Sequence, residues 1–192
     1  AHELARNGRR IEILSRRRSE AAGFVAAGML APHAEGLSNK LFKLGKLSLQ
    51  NIPKWVNKIE SDSGLPCGLR PCGIVVPFLN NNELEAYPTA PFGEKLNRKK
   101  LEHEVPGIAA QWQAGLLFHQ DGQIDNRRQL MRALEKACVE CGVSFQEGVE
   151  VLDLLHKNQQ FQGLRILNAQ GEIQTLMGSE AVLWSGAWSS QI

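Results

Sequence analysis

Two stretches rich in small residues hold the positions best suited to receiving a ligand. The first runs Gly23-Phe24-Val25-Ala26-Ala27-Gly28-Met29-Leu30-Ala31-Pro32. Small side chains at Gly23, Ala26, Ala27 and Gly28 leave backbone amides uncovered, so a large flat or anionic group could approach them closely. On spacing alone, a loop that packs helix against sheet explains the same residues and is the plainer reading. The second stretch, Ser185-Gly186-Ala187-Trp188, follows the apolar run Ala181-Val182-Leu183-Trp184. Small residues at the carboxyl end of a buried strand mark the place where α/β sheets bind ligands. Ser185 and Ser189 have no histidine near them in sequence and no G-x-S-x-G elbow, so nucleophilic hydrolysis is poorly supported.

Other chemistry-bearing residues read more simply. His33 and Glu35 could pose as an acid–base pair or half a metal site, but on a loop they are expected to make local hydrogen bonds. His2, His103, His119 and His156 lack ligand spacing. Asp121 reads as a turn residue and Asp125 as a helix N-cap. Trp184 and Trp188 read as core and wall residues. Cys67, Cys72, Cys138 and Cys141 have C-x4-C and C-x2-C spacings that a zinc site could use. Cys138 and Cys141 fall on the apolar face of a predicted helix, so free buried thiols in a reducing compartment are expected and no metal site is assigned.

Composition narrows the classes. The chain has 192 residues, 43% hydrophobic and 22% charged, as a globular domain does. Its net charge of +2 supplies no field that would select nucleic acid or an anionic membrane. Arg9, Arg10, Arg16, Arg17 and Arg18 flank the first strand, and Arg98, Lys99 and Lys100 form a second basic group. No aromatic residues interleave them as a stacking platform would require. No apolar run reaches the length of a membrane span and no signal segment opens the chain, so a cytoplasmic location is expected. The sequence begins at Ala1 inside a helical pattern and stops at Ile192 after an apolar strand, which reads as a fragment.

The positioning elements follow from pattern. Ala1 to Asn7 reads as the end of a helix with Gly8 after its C-cap. Ile11 to Leu14 is a short strand ending at Ser15. Helix, glycine and strand together form the second half of a β-α-β unit. No G-x-G-x-x-G occurs in the chain, so the loop that would carry it is expected upstream. From about Ser38 a long helix is expected, kinked or split at Pro53 and closed by the turn Ser61-Asp62-Ser63-Gly64. Leu69 to Leu79 reads as one edge or bulged strand holding two prolines and a glycine. Brief helices are expected after Asn80 and from Asn97 to about Glu104. Asp125 caps a helix from Asn126 to Cys141, and Val143 to Phe145 is a strand. Val149–Leu155, Phe161–Leu167 and Glu172–Leu176 form an antiparallel meander. Ala181–Trp184 is expected to be a strand buried on both faces.

Three motifs carry a resemblance. Ala27-Gly28-Met29-Leu30-Ala31-Pro32-His33-Ala34-Glu35, Gly122-Gln123-Ile124-Asp125-Asn126-Arg127-Arg128 and Ser185-Gly186-Ala187-Trp188-Ser189 resemble the flavin-dependent glycine oxidases of thiamine biosynthesis, in the D-amino-acid oxidase family. The likeness spans essentially the whole chain with its motifs in order. It implies an α/β fold: a doubly wound, Rossmann-like FAD-binding domain interrupted by part of an α+β substrate cap domain. The expected segments are 1–64 and 116–192 for the FAD-binding domain and 65–115 for the cap. It also implies oxidation of glycine or a related small amine, with hydride passing to flavin N5 and dioxygen becoming hydrogen peroxide. The imine or glyoxylate so formed would supply the thiamine thiazole. A thiazole synthase partner or fusion, and self-association into a homo-oligomer, are further associations the resemblance allows.

Carried over by position, Ser15 and Arg16 stand where the family contacts the adenosine ribose of FAD. Ala22 and Gly23 match residues near the pyrophosphate. Ala27, Gly28 and Met29 match residues facing the isoalloxazine. Val151 matches a backbone contact to adenine, and Ser185, Gly186 and Trp188 line the cofactor from the last strand. Ser15 departs from the acidic residue most relatives have there; a hydroxyl makes a weaker, single hydrogen bond than a bidentate carboxylate. The family's catalytic arginine and tyrosine are expected beyond Ile192, so no catalytic residue is assigned and the fragment alone is expected to be inactive. Another FAD-dependent amine or D-amino-acid oxidase, and a fragment of a nicotinamide-dependent dehydrogenase, are the alternatives. The cap segment and the meander count against the second.

Overall fold

The computed structural model describes residues 1–186 and 189. In chain order the helices are α1 (His2–Arg6), α2 (Asn39–Ser63), α3 (Asn81–Glu85), α4 (Arg98–Glu104) and α5 (Arg127–Glu140). The strands are β1 (Glu12–Ser15), β2 (Met29–Leu30), β3 (Leu69–Arg70), β4 (Ile74–Phe78), β5 (Glu94–Asn97) and β6 (Ala114–Phe118). They continue with β7 (Gly122–Ile124), β8 (Ser144–Glu147), β9 (Glu150–Lys157), β10 (Gln160–Leu167) and β11 (Ile173–Met177). The chain divides into two compact units, residues 1–24 with 138–192, and residues 25–137. The boundary falls inside α5.

In the first unit, α1 closes at Asn7 and Gly8 turns the chain at φ +78°. The β-branched run then forms β1, which pairs in parallel with β8 from Glu12↔Ser144 to Ser15↔Glu147. A parallel neighbour is what a β-α-β exit requires. Gly142, at φ +79°, ends α5 and lets Val143 N–H bond back to Cys138 O at 2.9 Å. The meander forms as an antiparallel sheet in the order β11-β10-β9. Asn158 and Gln159, at φ +52° and +62°, make the tight turn between β9 and β10. At the next turn Asn168 Oδ1 accepts from Gln170 N–H and Glu172 N–H.

One expected strand is not formed. Residues 181–184 have no strand pairing, and Val182, Leu183 and Trp184 are 68%, 44% and 91% exposed. An apolar run becomes a two-faced strand only with a ladder on each side, and no described strand runs beside this one.

The second unit has three buried clusters. Val56 and Ile59 of α2 pack on Ala133 and Ala137 of α5 around Cys67. Phe78, Leu84, Ala90, Ala114, Leu116 and Phe118 form another, and Leu96, Leu101 and Leu117 the third. Strand β6, buried along its whole length, is the centre of an antiparallel sheet ordered β4-β6-β5, and β2-β7-β3 makes a second small sheet.

Three local expectations are corrected here. Helix α2 runs unbroken through Pro53 to Ser63, past the expected kink and into the expected turn cluster. A mid-helix proline costs ~3 kcal/mol, and burial of Val56 and Ile59 beyond it offsets that by holding the two halves in one register. Gly64, at φ +67°, is the actual terminator. The strand expected over 69–79 is two strands, because Pro71 and Gly73 (φ +71°) turn the chain between them. β3 then pairs with β7, and β4 with β6. At α5, Asn126 Oδ1 rather than Asp125 takes the first-turn amide, Gln129 N–H at 3.2 Å. Asp125 instead pairs with Arg70, 2.9 Å away. Asn80 and Asn97 cap α3 and α4 as their types suggest.

Candidate functional site

In the first unit, Ser15 ends β1 at the carboxyl edge of the parallel pair. Arg16 is exposed, and the chain then makes two 3₁₀ turns, Arg18–Glu20 and Ala22–Phe24, the second carrying Ala22 and Gly23. Register places Ser15 beside Glu147 and Ile13 beside Phe145. Alternation then puts these four side chains on one sheet face. Arg18 folds over that face, its guanidinium 4.2 Å from the Phe145 ring centre and its backbone N–H donating to Glu147 Oε1 at 3.2 Å. Val149 N–H donates to Ser15 O at 3.1 Å. The Ser15 hydroxyl has no hydrogen-bond partner among the described residues. Val151, half-buried in β9, stands opposite Ile166 of β10. Ser185 Oγ lies 3.1 Å from Ser189 Oγ, and Gly186 turns the chain at φ +54°. Trp188 lies outside the described residues.

In the second unit, Ala27 is exposed, Met29 is 56% exposed, and Met29 pairs with Gln123 of β7. Gly28 O accepts from Ile124 N–H at 2.8 Å. A Cβ on Gly28 would stand 2.4 Å from Ile124 O, and its φ is +91°. The neighbouring strand therefore already demands glycine there, quite apart from any ligand.

Directly after β2 the chain is locked by a pair that sequence reading misses. His33 Nδ1 lies 2.7 Å from Asp121 Oδ1, both side chains buried, and Ala34 N–H donates to Asp121 Oδ2 at 2.7 Å. Thr89 Oγ1 donates to His33 O at 2.6 Å, and Tyr87 OH to Ala34 O at 2.6 Å. The imidazole sits against Phe42, Phe92 and Phe118. So His33 bonds to a distant residue rather than locally, and Asp121 is more than a turn residue. A signal was present: His33 lies inside the first motif, and Asp121 stands immediately before the second. Their separation in sequence hid the pairing. With both Asp121 oxygens and the His33 and Ala34 carbonyls bonded, this buried network fixes the backbone from Ala31 to Gly36.

The thiols are free, with Cys67 and Cys138 buried, Cys141 half-buried and Cys72 exposed. The expectation of burial thus fails at Cys72. Burial, with Glu60 beside it, pushes the Cys67 thiol up to about 11, and burial also raises Cys138. Both favour the protonated form that metals do not bind.

The family model for FAD dependent oxidoreductases, DAO, matches residues 1–192. The chain belongs to that family. Among curated relatives, this DAO-family chain is 32% identical over 189 residues to the bifunctional protein ThiO/ThiG of Synechocystis sp.. It is 30% identical over 198 residues to the protein of the same name from Trichormus variabilis. The matches cover 95% and 100% of the chain, which spans 26% and 29% of those relatives. Among solved structures, glycine oxidase from Bacillus cereus superposes with a TM-score of 0.82 at 19% identity, over 100% of this chain and 54% of that one. Glycine oxidase from Geobacillus kaustophilus gives 0.83 at 22%, over 99% and 52%. These likenesses show a mixed α/β FAD-oxidoreductase fold.

The residues present fit such a cofactor. The carboxyl edge of the β1–β8 pair offers an unpartnered hydroxyl at Ser15 beside a carboxylate at Glu147, acceptors suited to ribose hydroxyls. In the second unit, Ala27 and Met29 leave backbone and apolar surface open to a flat ring.

Proposed function

We propose that the protein carrying this chain oxidises glycine or a related small amine, with FAD as its cofactor. The observation that carries this reading is the family match over residues 1–192, joined to the open carboxyl edge at Ser15. When bound, FAD would accept hydride from the amine Cα and return electrons to dioxygen, giving hydrogen peroxide. This chain's own residues would hold the cofactor and supply no acid or base. Ser15 and Arg16 would meet the adenosine ribose, Ala22 and Gly23 the pyrophosphate region, and Val151 the adenine. Ala27, Gly28 and Met29 would face the isoalloxazine, with Ser185, Gly186 and Trp188 on the wall from the carboxyl-terminal stretch. The His33–Asp121 network would keep the chain just beyond Met29 from moving when substrate arrives.

Substrate choice among glycine, sarcosine and small D-amino acids is assigned to none of these residues. Membership of the family sets aside the nicotinamide-dependent alternative. The names of the curated relatives support a thiazole-forming partner or fusion, and release of imine or glyoxylate to it. We also infer a cytoplasmic setting: among the described residues no helix is long and apolar enough to cross a membrane. The test is direct. The intact protein should purify yellow, lose its flavin absorbance under anaerobic glycine, and produce peroxide in air. A colourless protein that takes up no FAD would sink the reading.

A further inference from the structure

Position 15 lacks the carboxylate that would accept from two ribose hydroxyls, yet a carboxylate stands beside it on the neighbouring strand. Glu147 is the register partner of Ser15, and the two end β8 and β1 together. Adjacent strands lie about 4.8 Å apart, so side chains on the same face at paired positions serve one ligand. Glu147 is exposed, as a ligand contact requires. Its carboxylate is already oriented, because Oε1 accepts Arg18 N–H at 3.2 Å, while its other oxygen has no partner among the described residues. Arg18 is itself held over Phe145 on the same face, which fixes the loop that fixes the carboxylate.

We propose that Glu147 is the acidic contact to the adenosine ribose of FAD, working from β8 in place of the missing acid on β1, with Ser15 Oγ as the second acceptor. This rests on the flavin reading above. A vicinal diol needs two adjacent acceptors, and one carboxylate oxygen beside one hydroxyl provides them. A charged acceptor makes bonds roughly twice as strong as a neutral one, so Glu147 carries the larger share.

The test compares equilibrium binding of FAD with that of an FAD analogue whose adenosine ribose is 2′,3′-dideoxy, using the intact apoprotein and flavin fluorescence quenching. The wild type should bind FAD at least tenfold more tightly than the analogue. In Glu147→Gln, which keeps an oxygen for Arg18 N–H but loses the charge, that ratio should fall below threefold. If Glu147→Gln does not fold, Glu147→Ser is compared in the same way. A ratio unchanged by the substitution, or affinities for both ligands that fall together, would overturn the proposal and leave the flavin reading standing. A wild type that binds neither ligand would overturn both.

Discussion

The two units are built differently. The unit of residues 25–137 holds three buried clusters and a polar network sunk among aromatic rings, and among the described residues the other unit holds none of these clusters. The unit of residues 1–24 and 138–192 buries Cys138, Val143, Val149 and Ile166, while Ile173, Met177, Val182 and Trp184 remain exposed. Phe118 and Trp184 make the contrast concrete: two large aromatic side chains, 0% and 91% exposed. One unit is built around buried clusters, although Val25, Leu41 and Leu44 on its surface are exposed. The other is an open sheet edge whose polar groups at Ser15 and Glu147 are left for something else to satisfy.

The comparison can be broken at its strongest point. Asp121→Ala removes the partner of both His33 and Ala34 N–H, and loss of one member of a buried pair costs about 3–5 kcal/mol. Urea unfolding of the 192-residue chain should show that loss; a cost below about 1 kcal/mol would mean the network is not the lock of its unit. In the open unit, a Cβ on Gly163 would stand 2.2 Å from Leu176 O. Gly163→Ala should therefore destabilise by about 1–3 kcal/mol, seen as early loss of β10–β11 amide protection in hydrogen exchange.

Cys67 gives a pH-dependent version. Its folded-state pKa is raised from the ordinary 9.0 to about 11. Between those values the unfolded thiol loses its proton and the folded one keeps it. Stability is thus full below about pH 9 and falls as pH rises toward 11. Cys67→Ala should flatten that alkaline decline in thermal melts, and an undiminished slope would argue against it. The smallest effect is expected at Trp184. Trp184→Ser should shift stability by less than about 0.5 kcal/mol, because almost all of the ring already meets water.

Local rules were legible wherever a residue acts on its own neighbours. Asn80 and Asn97 cap their helices, Gly8 and Gly142 end theirs, and the expected meander forms as an antiparallel sheet. The failures share one cause. Pro53 does not break α2, because side chains beyond it are buried by residues far along the chain. Residues 181–184 do not form a strand, because apolar character cannot supply a ladder partner. Asp125 yields the cap to Asn126 once Arg70 claims its carboxylate.

The small-residue motifs and their order were enough to reach the family, since φ-permissive loops and short strands leave a local signature. Sequence alone also placed Ser15 at a strand's carboxyl end and showed what that position lacks. What stands beside it was decided by tertiary structure. Glu147 meets Ser15, and Asp121 meets His33, through strand register and burial across the chain. Such pairings form where backbone ladders and the cost of burying polar groups bring distant residues together, and no local pattern encodes that cost.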